Sequence, residues 1–339
     1  WISDYYLSSL GDIFKAALPS GLKTQDGYKP KTEQYVGLAE PYRNEQALHI
    51  AINTLSRATK QQKAFVDFLA MSHWDSLNGT LNAEDIVEVT REELMNFSHC
   101  NAPSIKNLID RKILYTYDKE VGRLNNGGKP HFENIKQFNE FQTKAFDEIN
   151  SQFDEKKVVL LHGVTSSGKT EIYIHLIKKA LEAHKQVLYL LPEIALTVQI
   201  MERLKRVFGN RLGIYHSKYS DAERVEIWNK QLSDSPYDVI LGARSAVFLP
   251  FTNLGLVIID EEHETSYKQQ DPAPRYHARS VAIVLAGLYG AKTLLGTATP
   301  SMESYYNAQQ GKYGLVDLKK RFAGIELPEI RVVDMKDLQ

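Results

Sequence analysis

The sequence has 339 residues, 43% hydrophobic and 24% charged, with 20 glycines and 12 prolines. This composition excludes collagen-like, low-complexity and wholly disordered chains, and the length suits about two domains, each able to bury a core. Lysine and arginine total 41 against 42 aspartates and glutamates, a formal charge of −1, so composition gives no pointer to nucleic acid and any basic patch has to be local.

The single cysteine, Cys100, excludes a disulfide framework and a cysteine-rich zinc site in this chain, and it suits a reducing, cytoplasmic compartment. The longest apolar runs, at 158–161 and 187–191, fall far short of the roughly 20 residues a spanning helix needs, so no membrane is expected. The chain begins at Trp1 rather than Met, from which a fragment or processed product is expected.

In chain order, residues 1–45 mix aromatics with a polar stretch at 23–32. The pattern predicts one short helix over 7–18, stopped by Pro19, and then a linker. Residues 46–128 read as a small domain. A helix over 60–71 carries Ala64, Phe65, Phe68 and Leu69. Thr90-Arg91-Glu92-Glu93 is a capping box that opens a second helix, and Pro103-Ser104 opens a third with Ile105, Leu108 and Ile109. A strand at 113–117 and a turn at 125–128 follow. Three helices, a strand and a turn make a winged-helix pattern, whose third helix either enters a DNA groove or packs on protein.

Residues 129–339 alternate strands (158–161, 187–191, 239–241, 256–259, 293–295) with helices (170–182, 196–208, 222–232, 278–288). The strands are apolar without alternation, so both sheet faces are covered. That predicts an α/β fold with a parallel, doubly wound sheet.

Gly163-Val164-Thr165-Ser166-Ser167-Gly168-Lys169-Thr170 fits the pattern G-x-x-x-x-G-K-[ST] between a strand and a helix. Its glycines let backbone amides turn in around phosphate oxygens, and the helix N-terminus adds partial positive charge. Lys169 would reach the β and γ phosphates, and the Thr170 hydroxyl would meet Mg²⁺. Asp260-Glu261-Glu262-His263 ends the strand 256–259, at the edge where α/β folds bind ligands. Asp260 is placed to hold Mg²⁺ and Glu261 to orient or deprotonate water. Gly296-Thr297-Ala298-Thr299-Pro300-Ser301 is either a simple loop or a link from the acidic cluster to a moving element.

These residues resemble superfamily 2 helicases: GVTSSGKT, DEEH and GTATPS look like motifs I, II and III, and Gln142 in Phe138–Gln142 looks like the adenine-reading glutamine. More narrowly, LPEIALT (191–197), GARSAVF (242–248), EHETSYKQQ (262–270) and RYHAR (275–279) are similar to the primosomal replication-restart helicases, the PriA family. Residues 1–11 resemble that family's segment between its 3′-end-binding domain and winged helix.

The resemblance implies a RecA-like P-loop lobe behind a small winged-helix domain, 3′→5′ unwinding at abandoned forks, and ATP and magnesium as cofactors. Nucleotide contacts would come from Gln142, Gly163, Val164, Thr165, Ser166, Ser167, Gly168, Lys169 and Thr170. Lys169, Asp260 and Glu261 would serve catalysis, with Thr170 and Asp260 on the metal. Thr197, Arg244, Tyr267, Lys268, Arg275 and Tyr276 would meet DNA, with core or rim packing as the alternative for Tyr267 and Tyr276.

Forked and single-stranded DNA, other primosome proteins and single-strand-binding protein are the implied partners, in a nucleoid-associated cytoplasmic setting. Zinc and the second helicase lobe belong to the family but not to this stretch of sequence, so little or no activity is expected of it alone. The alternatives are a fork- or protein-binding module that hydrolyses little ATP, and another superfamily 2 duplex translocase.

Overall fold

The computed structural model describes residues 1–22, 31–74, 86–120, 128–164 and 167–318. Most of the expected turn at 125–128 and of the polar stretch at 23–32 lies outside it. The chain divides into two units, Lys29–Arg123 and a larger one made of Trp1–Tyr28 with Leu124–Gln339.

The helix expected over 7–18 is α2 (Leu10–Ala17), and a short helix that the pattern did not predict, α1 (Ile2–Tyr6), precedes it. Leu7 separates them in a left-handed conformation (φ 49°), and Ser9 restarts the helix by accepting the Asp12 amide at 3.1 Å. Ile2 and Tyr6 pack against the core of the larger unit, so the first helices belong to that unit rather than forming a linker.

In the smaller unit, β1 (Thr32–Leu38) is the middle strand of an antiparallel sheet. Among the described residues, the helices that follow are α3 (Glu45–Thr54), α4 (Thr59–Ser72), α5 (Arg91–Ser98) and α6 (Ala102–Asp110). β2 (Val89–Thr90) and β3 (Leu114–Glu120) flank β1. The unit therefore begins near residue 29, not 46, because β1 supplies Val36 and Leu38 to its core. Phe65, Phe68, Leu94, Ile105 and Leu108 are among the residues that join them there. The Thr90 hydroxyl accepts the Glu93 amide at 3.1 Å and Glu93 accepts the Thr90 amide at 2.9 Å, the capping box read from sequence. At the end of α5 the Ser98 hydroxyl donates to Cys100 Sγ at 2.8 Å, with Cys100 half-buried.

The larger unit continues with α7 (Glu140–Glu155), β4 (Val158–Gly163), α8 (Lys169–Glu182), β5 (Gln186–Leu190), α9 (Val198–Phe208) and β6 (Leu212–Tyr215). Then come α10 (Asp221–Leu232), β7 (Val239–Gly242), β8 (Leu254–Asp260), α11 (Ala278–Tyr289), β9 (Lys292–Thr297), α12 (Met302–Gln309) and β10 (Gly314–Leu318). The seven strands are parallel, in the order β10-β4-β9-β8-β5-β7-β6.

Alternate residues of β4 enter different cores. Val159 and Leu161 join Ala145, Ile149, Ile172 and Leu204 on one face, while Val158 and Leu160 join Ile227, Val281, Ala282 and Ala308 on the other. Helices thus cover both faces, which is why the strand sequences are apolar throughout. The crossovers bring the carboxyl ends of β4, β9 and β8 side by side, with Leu161 opposite Gly296 and Gly296 opposite Asp260. Among the described residues, no helix is long and apolar enough to cross a membrane.

Candidate active site

The loop after β4 and the acidic tip of β8 meet at one edge of the sheet. Lys169, only 8% exposed, is the first residue of α8. Its ammonium donates to the Gly163 carbonyl at 3.0 Å and lies 3.7 Å from Glu261 Oε1. Gly168 caps the helix with φ 86°, a conformation that suits glycine. Gln142 is fully buried against it, its amide donating to the Gly168 carbonyl at 3.3 Å and accepting from the Asn139 amide at 3.0 Å. The glutamine expected to read adenine is therefore engaged in bracing the loop.

Thr170 stands in the first turn of α8, half-buried. Thr165 and Ser166 lie outside the described residues. Among the described residues, Ser167 Oγ is buried without a hydrogen-bond partner. An orphaned hydroxyl, a buried ammonium and a helix N-terminus at one loop fit the charge and acceptors of a nucleotide's phosphates.

Asp260 is held from three sides. The Tyr173 hydroxyl donates to Oδ1 at 2.8 Å, the Glu261 amide to the same oxygen at 3.1 Å, and the Tyr189 hydroxyl to Oδ2 at 3.5 Å. Burial, and then the neighbouring Glu261 carboxylate, push Asp260 up to about 6 despite the opposing pull of Tyr173 and Lys169. Burial, and then Asp260, drive both tyrosines well above their ordinary value, so they stay neutral donors. Glu261 turns the chain off the strand at φ 46°, uncommon for a residue with a side chain.

Glu262 is fully buried. It pairs with Arg279 and accepts from the Ser301 amide at 2.7 Å and the Ser304 hydroxyl at 2.8 Å. His263 sits between hydroxyls, with Nδ1 2.7 Å from Thr297 Oγ1 and Nε2 3.3 Å from Thr299 Oγ1. The stretch 296–301 therefore reaches the acidic tip through side chains of both segments. Sequence reasoning missed Tyr173, Tyr189, Glu262 and Arg279; the only signal was that each stands inside or beside a motif.

The residues expected to meet DNA separate into two groups. Thr197 is exposed and caps α9, its hydroxyl accepting the Ile200 amide at 3.4 Å. Arg244 donates to the carbonyls of Ser266 at 3.4 Å and Lys268 at 3.1 Å, and the exposed Arg275 donates to the Gln270 carbonyl at 2.9 Å. Lys268 donates to the Arg275 carbonyl. Tyr267 and Tyr276 are the correction. Each is 1% exposed in the core on the α11 face, so neither presents a ring to a base. The Tyr267 hydroxyl donates to the Asp260 carbonyl at 2.7 Å.

No cluster of three or more histidine, cysteine, aspartate or glutamate side chains able to hold a metal exists among the described residues. A magnesium ion here would rest on Asp260, Thr170 and phosphate oxygens together.

Two family models match. Residues 33–121 match the winged helix domain of PriA helicase (Bacteroidota), and residues 139–308 match the DEAD/DEAH box helicases. The chain is 39% identical over 291 residues to replication restart protein PriA of Bacillus subtilis strain 168, covering 84% of this chain and 34% of that protein. It is 33% identical over 338 residues to replication restart protein PriA of Chlamydia trachomatis serovar D, covering 99% of this chain and 42% of that one. Among solved structures, the DUF1998 helicase MrfA bound to DNA matches with a TM-score of 0.39 at 18% identity, covering 56% of this chain and 26% of that one. The chain thus spans well under half the length of the relatives it matches.

Proposed function

This chain belongs to the DEAD/DEAH box helicases and, within them, to the PriA replication restart family, and from that premise we propose that it forms the ATP-hydrolysing lobe and winged helix of a 3′→5′ DNA helicase acting at abandoned forks. The family is one of DNA-binding, ATP- and magnesium-using helicases. The single observation carrying the proposal is the 3.7 Å approach of Lys169 Nζ to Glu261 Oε1, which sets phosphate-binding charge and acidic tip face to face.

In this reading the loop amides and Lys169 hold the β and γ phosphates, and Lys169 leaves Glu261 to do so. Thr170 and Asp260 hold magnesium, which when bound offsets charge on the phosphoryl oxygens. Glu261 orients the attacking water and takes up its proton. Tyr173 and Tyr189 fix the Asp260 carboxylate so that its oxygens do not rotate away. Thr197, Arg244, Lys268 and Arg275 meet the backbone of a single strand. Other primosome proteins and single-strand-binding protein are proposed partners.

Binding of a fluorescent ATP analogue with magnesium tests the site. Lys169→Ala is expected to weaken it at least 100-fold, and intact binding would remove the assignment. A second reading, fork binding with little hydrolysis, is favoured by the exposed Lys106 and Arg111 at α6. Turnover by this chain with forked DNA separates the two.

A further inference from the structure

The segment 262–277, which joins the acidic tip to α11, touches the first helices of the chain. Tyr6 is the point of contact. Its hydroxyl oxygen accepts the His277 amide at 3.0 Å, and its ring lies 5.2 Å from Lys268 Nζ. Those two residues pair with each other across the segment, and the Gln269 amide donates to the Tyr276 carbonyl at 2.9 Å. Tyr6 therefore grips both ends of one small hairpin.

Its neighbours hold it in place. Trp1 and Tyr5 stack at 4.8 Å, and Tyr5 meets the Tyr6 ring edge-on at 4.9 Å. Ile2, Leu10 and Ile13 line a groove of about 380 Å³ with Val247, Phe248 and Val281. The turn Arg244–Phe248 under this groove is the same one whose Arg244 holds the Ser266 and Lys268 carbonyls. From the hairpin the path to the acidic tip is one bond long, the Tyr267 hydroxyl on the Asp260 carbonyl at 2.7 Å.

We propose that Tyr6 is a positioning residue for the nucleotide site: by fixing the hairpin at Lys268 and His277 it sets, through Tyr267, where the Asp260–Glu261 tip stands. The inference rests on the reading of that tip given above. Displacing Tyr6 would free the His277 amide and leave the Lys268 ammonium held by the Arg275 carbonyl alone. The Asp260 carbonyl would then lose the fixed position of its donor, and Glu261, in its uncommon left-handed conformation, would follow.

The test compares this chain with Tyr6→Phe, Tyr6→Leu and Lys169→Ala. It measures melting temperature, amide hydrogen exchange over residues 262–280, and affinity for a fluorescent ATP analogue with magnesium. Tyr6→Phe keeps the ring, and with it the packing and the Lys268 contact. It is expected to hold the melting temperature within a degree, speed exchange at His277 about tenfold and change nucleotide affinity at least threefold. Tyr6→Leu is expected to change affinity further.

Affinity unchanged in both Tyr6 variants would overturn the proposal, whatever the exchange shows. So would affinity losses that merely track losses of melting temperature, since those report packing alone. Lys169→Ala separates the two levels. If it binds nucleotide normally, the site reading has failed. If it loses binding while the Tyr6 variants are silent, only the positioning role has failed.

Discussion

Asp260 carries a charge that the fold holds at a cost. Its carboxyl is raised to about 6, first by burial and then by Glu261. A folded value above the unfolded one means that the protonated form favours folding. That contribution is complete below about pH 4 and is lost as pH rises through about 6. At pH 7.5 the ionised carboxylate opposes the fold, so Asp260→Asn is expected to stabilise the metal-free chain by about 1–3 kcal/mol. Urea unfolding at pH 7.5 and at pH 3.8 checks this, because the gain should vanish at the lower pH; an equal gain at both would count against it.

The loop 163–170 and the acidic tip at Asp260 were legible as neighbours because each is a compact motif at the carboxyl end of an apolar strand, and the structure brings Lys169 within 3.7 Å of Glu261. Tyr173 was not, since its partner lies 87 positions away and only the fold joins them. Tyr267 and Tyr276 misled for a related reason. An aromatic among charged residues reads the same whether it lies under a base or in a core, and burial alone decides.

Among elements, β8, β9 and α8 form one packed joint. Gly296 in β9 leaves the gap through which Tyr173 of α8 reaches Asp260 of β8. A methyl group there would sit 1.8 Å from the tyrosine hydroxyl and 2.8 Å from the adjoining ring carbon. Gly296→Ala is therefore expected to destabilise the larger unit by about 1–3 kcal/mol through overpacking. Its nucleotide affinity should fall as well, because Asp260 loses its donor. Thermal unfolding and nucleotide titration of the variant measure the two effects, and an unaltered protein would mean that the joint is looser than described.

The central strands were readable from unbroken apolar runs. Other elements were not. β1 alternates and includes a glycine, α7 is largely polar with a buried stripe of Gln142, Ala145, Ile149 and Phe153, and β6 has only four residues. In each, packing against a neighbour outweighs the local signal. That is also why the smaller unit begins earlier than its helices suggest.

At the scale of the whole molecule, two units built on different sheets share one chain. Ile105 and Leu108 turn α6 inward, leaving Lys106 and Arg111 exposed at its outer side. If these meet phosphates, replacing both with alanine should lower the slope of log affinity against log salt by about 1–2. An unchanged slope, measured by titrating forked DNA at several salt concentrations, would assign α6 to a protein partner instead. Overall charge could not have answered this, since the chain is close to neutral.

Cys100 adds an opportunity. It is the chain's single thiol and it lies beside α5 in the smaller unit. One maleimide dye there would label that unit alone, and a fluorescent nucleotide would label the other. Energy transfer between the two colours would then report their separation as DNA is added, with no engineered attachment point.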